Sequence, residues 1–195
     1  MRELPRRILR ATGTTLLVVG FVLVAYIVWL LWGTGIYTGR AQQELRDGFN
    51  RRVAAAEQEA PVPVPGEAFA VLQIPAIDLD VIVLEGTAIE DLKRGPGRYR
   101  ETDYPWEDTG TVGIAGHRTT YGAPFWSLNE VRPGDEITLH TQRGRFRYEV
   151  TDTRDVAPSE VSVLDPTEEP TLVLTTCSPR FSAARRLIVF AERVD

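Results

Sequence analysis

Residues 14–32 (TTLLVVGFVLVAYIVWLLW) contain no charged side chain. As a helix this run extends roughly 28 Å, against a hydrocarbon thickness of about 30 Å. It divides the chain into an anchor and a part that folds apart from it. The apolar core exceeds the roughly 7–15 residues of a cleaved signal peptide. No small-x-small site follows it directly, and Ala54-Ala-Ala56 lies too far downstream. Arg2, Arg6, Arg7 and Arg10 precede the run closely, whereas only Arg40 and Arg46 fall within about 18 residues after it. That asymmetry predicts a single span with the N-terminus cytoplasmic and the remainder outside. Tyr26, Trp29, Trp32 and Tyr37 gather at the outer end, as an interfacial aromatic belt would.

After the run, 33–39 reads as a short Gly-rich exit. Residues 40–59 (RAQQELRDGFNRRVAAAEQE) favour helix but hold few large apolar side chains, and Gly48 interrupts them. The expectation is a partly helical stalk that does not pack. Pro61-Val-Pro-Val-Pro65 reads as a stiff, extended linker. Four divisions follow: a cytoplasmic segment (1–13), the anchor (14–32), an extracellular stalk with its linker (33–66), and a domain (67–195) expected to fold alone.

Within that domain the apolar pattern is one of short strands: 69–74, 79–84, 111–115, 136–142, 146–153, 171–177 and 187–191. Short helical pieces are expected at 88–94, 124–128 and 159–164. Regular short strands with few helices predict an all-β barrel. The connection 155–170, with three prolines, is long enough to have a function of its own.

The single cysteine, Cys177, closes the run TLVLTTC and is followed by Ser178-Pro179. One cysteine cannot form an internal disulfide, and on the outside of a cell an unpaired thiol signals reactivity. His117 follows the strand at 111–115, and Arg186 opens the last strand. A Cys, a His and an Arg at the ends of three different strands form a set that converges at one end of a barrel. His140 ends another strand outside any motif and is expected at the surface.

The segments TLVLTTC, RRLIVFA and IAGHRTTYGAPF resemble those of the sortases, membrane-anchored cysteine transpeptidases of Gram-positive bacteria, over about residues 69–194. The loops RTTYGAPF and TTC-x-PRFSA look most like class E. One departure is Ser178, where that class commonly carries His. The resemblance implies a closed β-barrel of about eight strands with short helices behind one N-terminal transmembrane helix. It implies Cys177 as nucleophile, His117 as general acid/base and Arg186 as the group that stabilises the oxyanion, with Arg185 the rival for that last role. It further implies Thr176 as a position that contacts substrate or supports the oxyanion site, and Tyr121 as a substrate-binding position.

Such a set forms a thioacyl intermediate, which water resolves in a peptidase and an amine resolves in a transpeptidase. The resemblance favours the amine. It implies cleavage of a Leu-Pro-x-Thr-Gly-like signal between Thr and Gly, read here as Leu-Ala-x-Thr-Gly. Partners would be sorting-signal-bearing secreted proteins, a cell-wall amine such as a peptidoglycan precursor, and the membrane. The alternatives are a thiol peptidase of the same fold, a pilin-polymerising sortase, and a tethered barrel that only binds. The pilin reading is weakened because a second apolar helix does not follow the last strand. No cofactor is expected, and no carboxylate cluster has metal-ligand spacing. Acidic residues outnumber basic ones 27 to 22, which argues against nucleic acid as a partner.

Overall fold

The computed structural model describes residues 3–55 and 63–194. Eight strands are present: β1 (Ala68–Ile74), β2 (Leu79–Glu85), β3 (Gly97–Arg98), β4 (Thr111–Ala115), β5 (Glu136–Thr141), β6 (Gly144–Val156), β7 (Thr171–Ser178) and β8 (Arg185–Arg193). They close into a barrel in the order β1-β2-β3-β4-β7-β8-β6-β5, as expected. Closure leaves no unpaired strand edge. β2/β3 and β4/β7 pair in parallel, and the other neighbours are antiparallel. β3 carries too few residues for any alternation, so the sequence pattern did not reveal it. A short helix, α3 (Ile89–Leu92), and 3-10 turns at Leu128–Glu130 and Val161–Leu164 fall at or beside the three predicted pieces.

Alternation along the strands separates two layers. Val112 and Ile114 of β4, Leu172 and Leu174 of β7, and Leu187 and Val189 of β8 point into the barrel core. Each such side chain contributes about 1.5–3 kcal/mol by leaving water. The residues between them face outward. Val173 and Ile188 meet Val156 there, under Val163 and Leu164 of the long β6–β7 connection. That connection therefore lies across the outer face of β7 and β8. Near β3, Arg98 is buried and forks onto Glu85 at 2.9 and 2.7 Å, with its guanidinium carbon 3.9 Å from the centre of the Tyr104 ring. Its Nη1 donates to the carbonyls of Thr102 and Asp103, so the buried charge is both paired and hydrogen-bonded.

The anchor and stalk form one almost continuous rod. α1 (Glu3–Val28) passes through a π-helical turn (Trp29–Gly33) into α2 (Thr34–Ala55). A stretch of this rod has a mean hydropathy of 2.5 and none of it is buried, so it is apolar enough to cross a membrane. The expectation of an unpacked stalk is overturned. α2 docks on the barrel through Thr34, Thr38, Gln42, Leu45 and Phe49, spaced to lie along one helical face. Leu45 and Phe49 are buried against Ala68, Val71, Ile82 and Leu84. Gln42 receives the Ile82 N–H at 2.7 Å and donates to the carbonyls of Ile82 and Arg94 at 3.0 and 2.9 Å. Thr38 donates to the Lys93 carbonyl at 2.8 Å.

This contact lowers the free energy enough to carry the helix through Gly48, whose propensity cost is only about 1 kcal/mol. Hydrophobic periodicity missed it because half of the docking face hydrogen-bonds to the barrel instead of burying apolar area. The Gly-rich exit at 33–39 is likewise helical. The linker expected at 61–65 begins outside the described residues. Phe49→Ala should therefore cost about 3–5 kcal/mol, and Gln42→Ala about 1–3 kcal/mol. Thermal unfolding of chains starting at Thr34 and at Glu67 measures the whole contact. The longer chain should melt higher, and equal midpoints would show that docking adds nothing.

Candidate active site

Register brings the three predicted residues together. β4 and β7 pair in parallel from Thr111↔Thr171 to Ala115↔Thr175. Beyond the last pair, the Gly116 N–H still donates to the Thr175 carbonyl at 3.1 Å. The same offset, carried on past the strand, predicts His117 opposite Cys177, and the adjacent Arg118 reaches the Cys177 carbonyl at 3.3 Å. On the other flank, Cys177 is the direct antiparallel partner of Arg186. Opposed residues in such a pair share a face. The alternation that turns Leu174 and Leu187 inward turns Cys177 and Arg186 outward. Cys177 is half-buried, between an imidazole-bearing segment and a guanidinium.

The register also separates the two arginines. Arg185 opposes Ser178, is exposed, and donates to the Asp155 carbonyl at 2.6 Å. Arg186 is half-buried, and only its Nη1 is engaged, by the carbonyls of Ala183 and Arg185 at 3.1 Å each. Among the described residues no carboxylate pairs with it. An unpaired guanidinium held beside a thiol is suited to charge that appears only during a reaction.

His117 begins a tight loop. Its carbonyl accepts the Phe125 N–H at 3.1 Å. Within the loop Tyr121, Gly122 and Ala123 all have positive φ, at 52°, 73° and 45°. Two of these are non-glycine residues in a region they rarely occupy, so the loop holds strain that its surroundings must offset. One such support is Thr34 of α2, whose hydroxyl oxygen accepts the Tyr121 N–H at 3.1 Å. The turn folds the Tyr121 ring back onto His117, with centroids 5.0 Å apart. Burial pushes the His117 pKa below the usual imidazole value. Neutral imidazole, the form able to accept a proton, is thereby favoured.

Thr176 is placed differently from its expected substrate contact. Its side chain is buried, and its hydroxyl donates to the Gly116 carbonyl at 2.7 Å. It pins the end of β4 to β7, and so holds His117 in line without lining the groove. Ser178, the departure from the class E pattern, donates to Asp155 Oδ2 at 3.0 Å. His140 is half-buried and its Nε2 lies 2.9 Å from Gln73 Oε1, away from this site.

Sequence reasoning passed over Arg118 and Arg180. Arg118 is buried and donates to the Cys177 carbonyl at 3.3 Å, the Trp126 carbonyl at 2.9 Å and Asn129 Oδ1 at 2.7 Å. Arg180 reaches the same Trp126 carbonyl at 3.1 and 3.0 Å. The two guanidiniums thus clamp the His117 loop to the loop after Cys177. Adjacency of Arg118 to His117 was the one available signal. Among the described residues no group of three or more His, Cys, Asp or Glu is placed to hold a metal.

A family profile for the sortase domain matches residues 72–194. The chain belongs to the sortase family. It is 32% identical over 201 residues to sortase SrtE1 of Streptomyces coelicolor, covering 95% of this chain and 57% of that relative's length. It is 35% identical over 137 residues to sortase D of Bacillus subtilis, covering 68% of this chain and 67% of the relative. Among solved structures, sortase E1 of S. coelicolor with a tripeptide in the active site superposes with a TM-score of 0.63 at 37% identity, over 68% of this chain and 91% of that one. A sortase D5 transpeptidase from Clostridium perfringens gives 0.67 at 26% identity, over 80% and 98%. Within the sortases the likeness extends to class E.

The shifted histidine makes a pH prediction. Because its folded pKa lies below the unfolded value, the neutral form's stability contribution is complete above about pH 6.5. It is lost as pH falls through the folded value. Between pH 7.5 and 5 the melting temperature of the unaltered sortase should fall more than that of His117→Gln. Parallel curves would show that His117 is not buried in this way.

Proposed function

We propose that this sortase is a membrane-anchored cysteine transpeptidase. The observation that carries the reading is the direct pairing of Cys177 with Arg186 across β7 and β8, with His117 on the loop that leaves the end of β4, the strand on the other side of β7. Cys177 Sγ attacks the Thr carbonyl of a sorting signal while the neutral His117 imidazole accepts the thiol proton. The carbonyl oxygen becomes an oxyanion, and Arg186 supports that charge. Collapse expels the Gly amine, which takes a proton from the His117 imidazolium, and leaves a thioester on Cys177. An incoming amine then repeats the sequence in reverse, releasing the new amide and the thiol. Cell-wall amines fit the second step, and secreted proteins bearing the signal fit the first. Residues 14–32 would hold the enzyme in the membrane with the barrel outside, following the flanking arginines.

Cys177→Ala should abolish turnover of a sorting-signal peptide and leave the circular dichroism unchanged. Addition of a small amine should divert product from acid to amide in the unaltered enzyme. Turnover near the original rate in the variant would remove the nucleophile assignment, and product that stays acid at any amine concentration would favour the thiol peptidase.

Tyr121 is proposed to select the signal. It sits against His117, half-exposed at the edge of the site. An alanine in the second signal position keeps a backbone N–H that needs an acceptor, whereas proline has none. The Tyr121 hydroxyl is suited to that role. The enzyme should prefer Leu-Ala-x-Thr-Gly over Leu-Pro-x-Thr-Gly, and Tyr121→Phe should erase the preference. Measured kcat/KM ratios for the two peptides decide it, and an unchanged ratio in the variant sinks the assignment.

A further inference from the structure

The helix that leaves the span also fixes which end of the barrel lies near the bilayer. Thr34, Gly35 and Thr38 are within about 9 Å of the end of the uncharged run at 1.5 Å per residue. Thr34 holds Tyr121, Gly35 comes against Gly122, and Thr38 holds Lys93. Leu31, inside the run, shares one pocket with Trp126 and Phe181. The opposite end of the barrel lies far along the rod. Arg52, near the end of α2, donates to the Ala68 carbonyl at 3.1 Å, and the next residue, Phe69, packs on Trp106. The Cys177 end therefore sits at the level where the span ends, and the Trp106 end points away from it.

The side chains at the near end suit an interface between oil and water. Phe181 is 69% exposed and Trp126 is 40% exposed, with their rings edge to face at 5.9 Å. Phe181 has φ 65°, a costly conformation for a bulky residue, and it holds the ring outward. Arg180 stacks on the Trp126 ring at 4.5 Å, placing a cation beside the aromatic pair. Aromatic rings backed by basic groups settle at the boundary between acyl chains and anionic headgroups.

We propose that the end of the barrel carrying Cys177 rests on the membrane, with Phe181 and Trp126 seated at the headgroup–acyl boundary. The proposal rests on reading residues 14–32 as a membrane span. The partner is the lipid surface itself. The groove then opens at the headgroup layer, and the two loops clamped by Arg118 and Arg180 are held from the lipid side as well as by α2.

Nitroxide labels on the full-length chain test this in phosphatidylcholine–phosphatidylglycerol vesicles. In a Cys177→Ala background, single cysteines are placed by Val22→Cys, Thr109→Cys, Trp126→Cys and Phe181→Cys. Collision with oxygen is compared with collision with a water-soluble nickel chelate. Labels at 22, 126 and 181 should favour oxygen, several-fold over the label at 109, which precedes β4 at the far end. Labels at 126 and 181 matching 109, with 22 still lipid-exposed, would overturn the docking and leave the span intact. A label at 22 open to the nickel chelate would overturn the span reading and the docking with it.

Discussion

The parallel pairing of β4 with β7 is the contact on which the site depends. Neither strand is adjacent to the other in sequence, and β5 and β6 are built between them. A slip of one residue would turn His117 to the opposite face from Cys177, and a slip of two would move it by about 6.6 Å. Inward Ile114 and Leu174 hold the register from the core side. Thr176 holds it at the end, through the Gly116 carbonyl. Gly116 itself leaves no space for a side chain, since a Cβ there would lie 2.6 Å from the Phe125 ring. Packing and the placement of the His117 loop are thus the same requirement at this strand end.

The docked helix is a second layer of that requirement. The His117 loop uses strained backbone at Tyr121 and Ala123, and its support comes partly from Thr34, at the start of α2. α2 is held in turn by Gln42 and by the buried pair Leu45 and Phe49. A chain of contacts therefore runs from the end of the apolar run to the His117 loop. The stalk is a structural part of the active-site surround.

Much of this was legible in the residues, for reasons that differ by element. β1, β2 and β4 to β8 each carry enough apolar residues to fill a barrel face, so their pattern was strong. Cys177, His117 and Arg186 stood at strand ends, where chemistry-bearing side chains escape the core. β3 was too short to carry a pattern. α2 was misread because Thr34, Thr38 and Gln42 dock through hydrogen bonds, and a hydrophobic count assigns such residues to solvent. Thr176 lies buried because alternation beside an outward Cys177 turns its neighbour inward, and the sequence alone did not show its bond to the Gly116 carbonyl. The arginine clamp joins residues 118 and 180 across two loops, and single-sequence spacing carries no information about such a pairing.

In the proposed function Cys177, flanked by Arg186 and the His117 loop, does covalent chemistry at one sulfur. Acid-quenched mixtures of the full-length enzyme and a Leu-Ala-x-Thr-Gly peptide, analysed by intact mass and peptide mapping, measure it most directly. The account predicts a mass gain equal to the acyl fragment ending in Thr, located on the peptide containing Cys177 and released by hydroxylamine. Steady cleavage of the peptide with Cys177 unmodified at every quench time, and with no adduct trapped when amine is withheld, would contradict it.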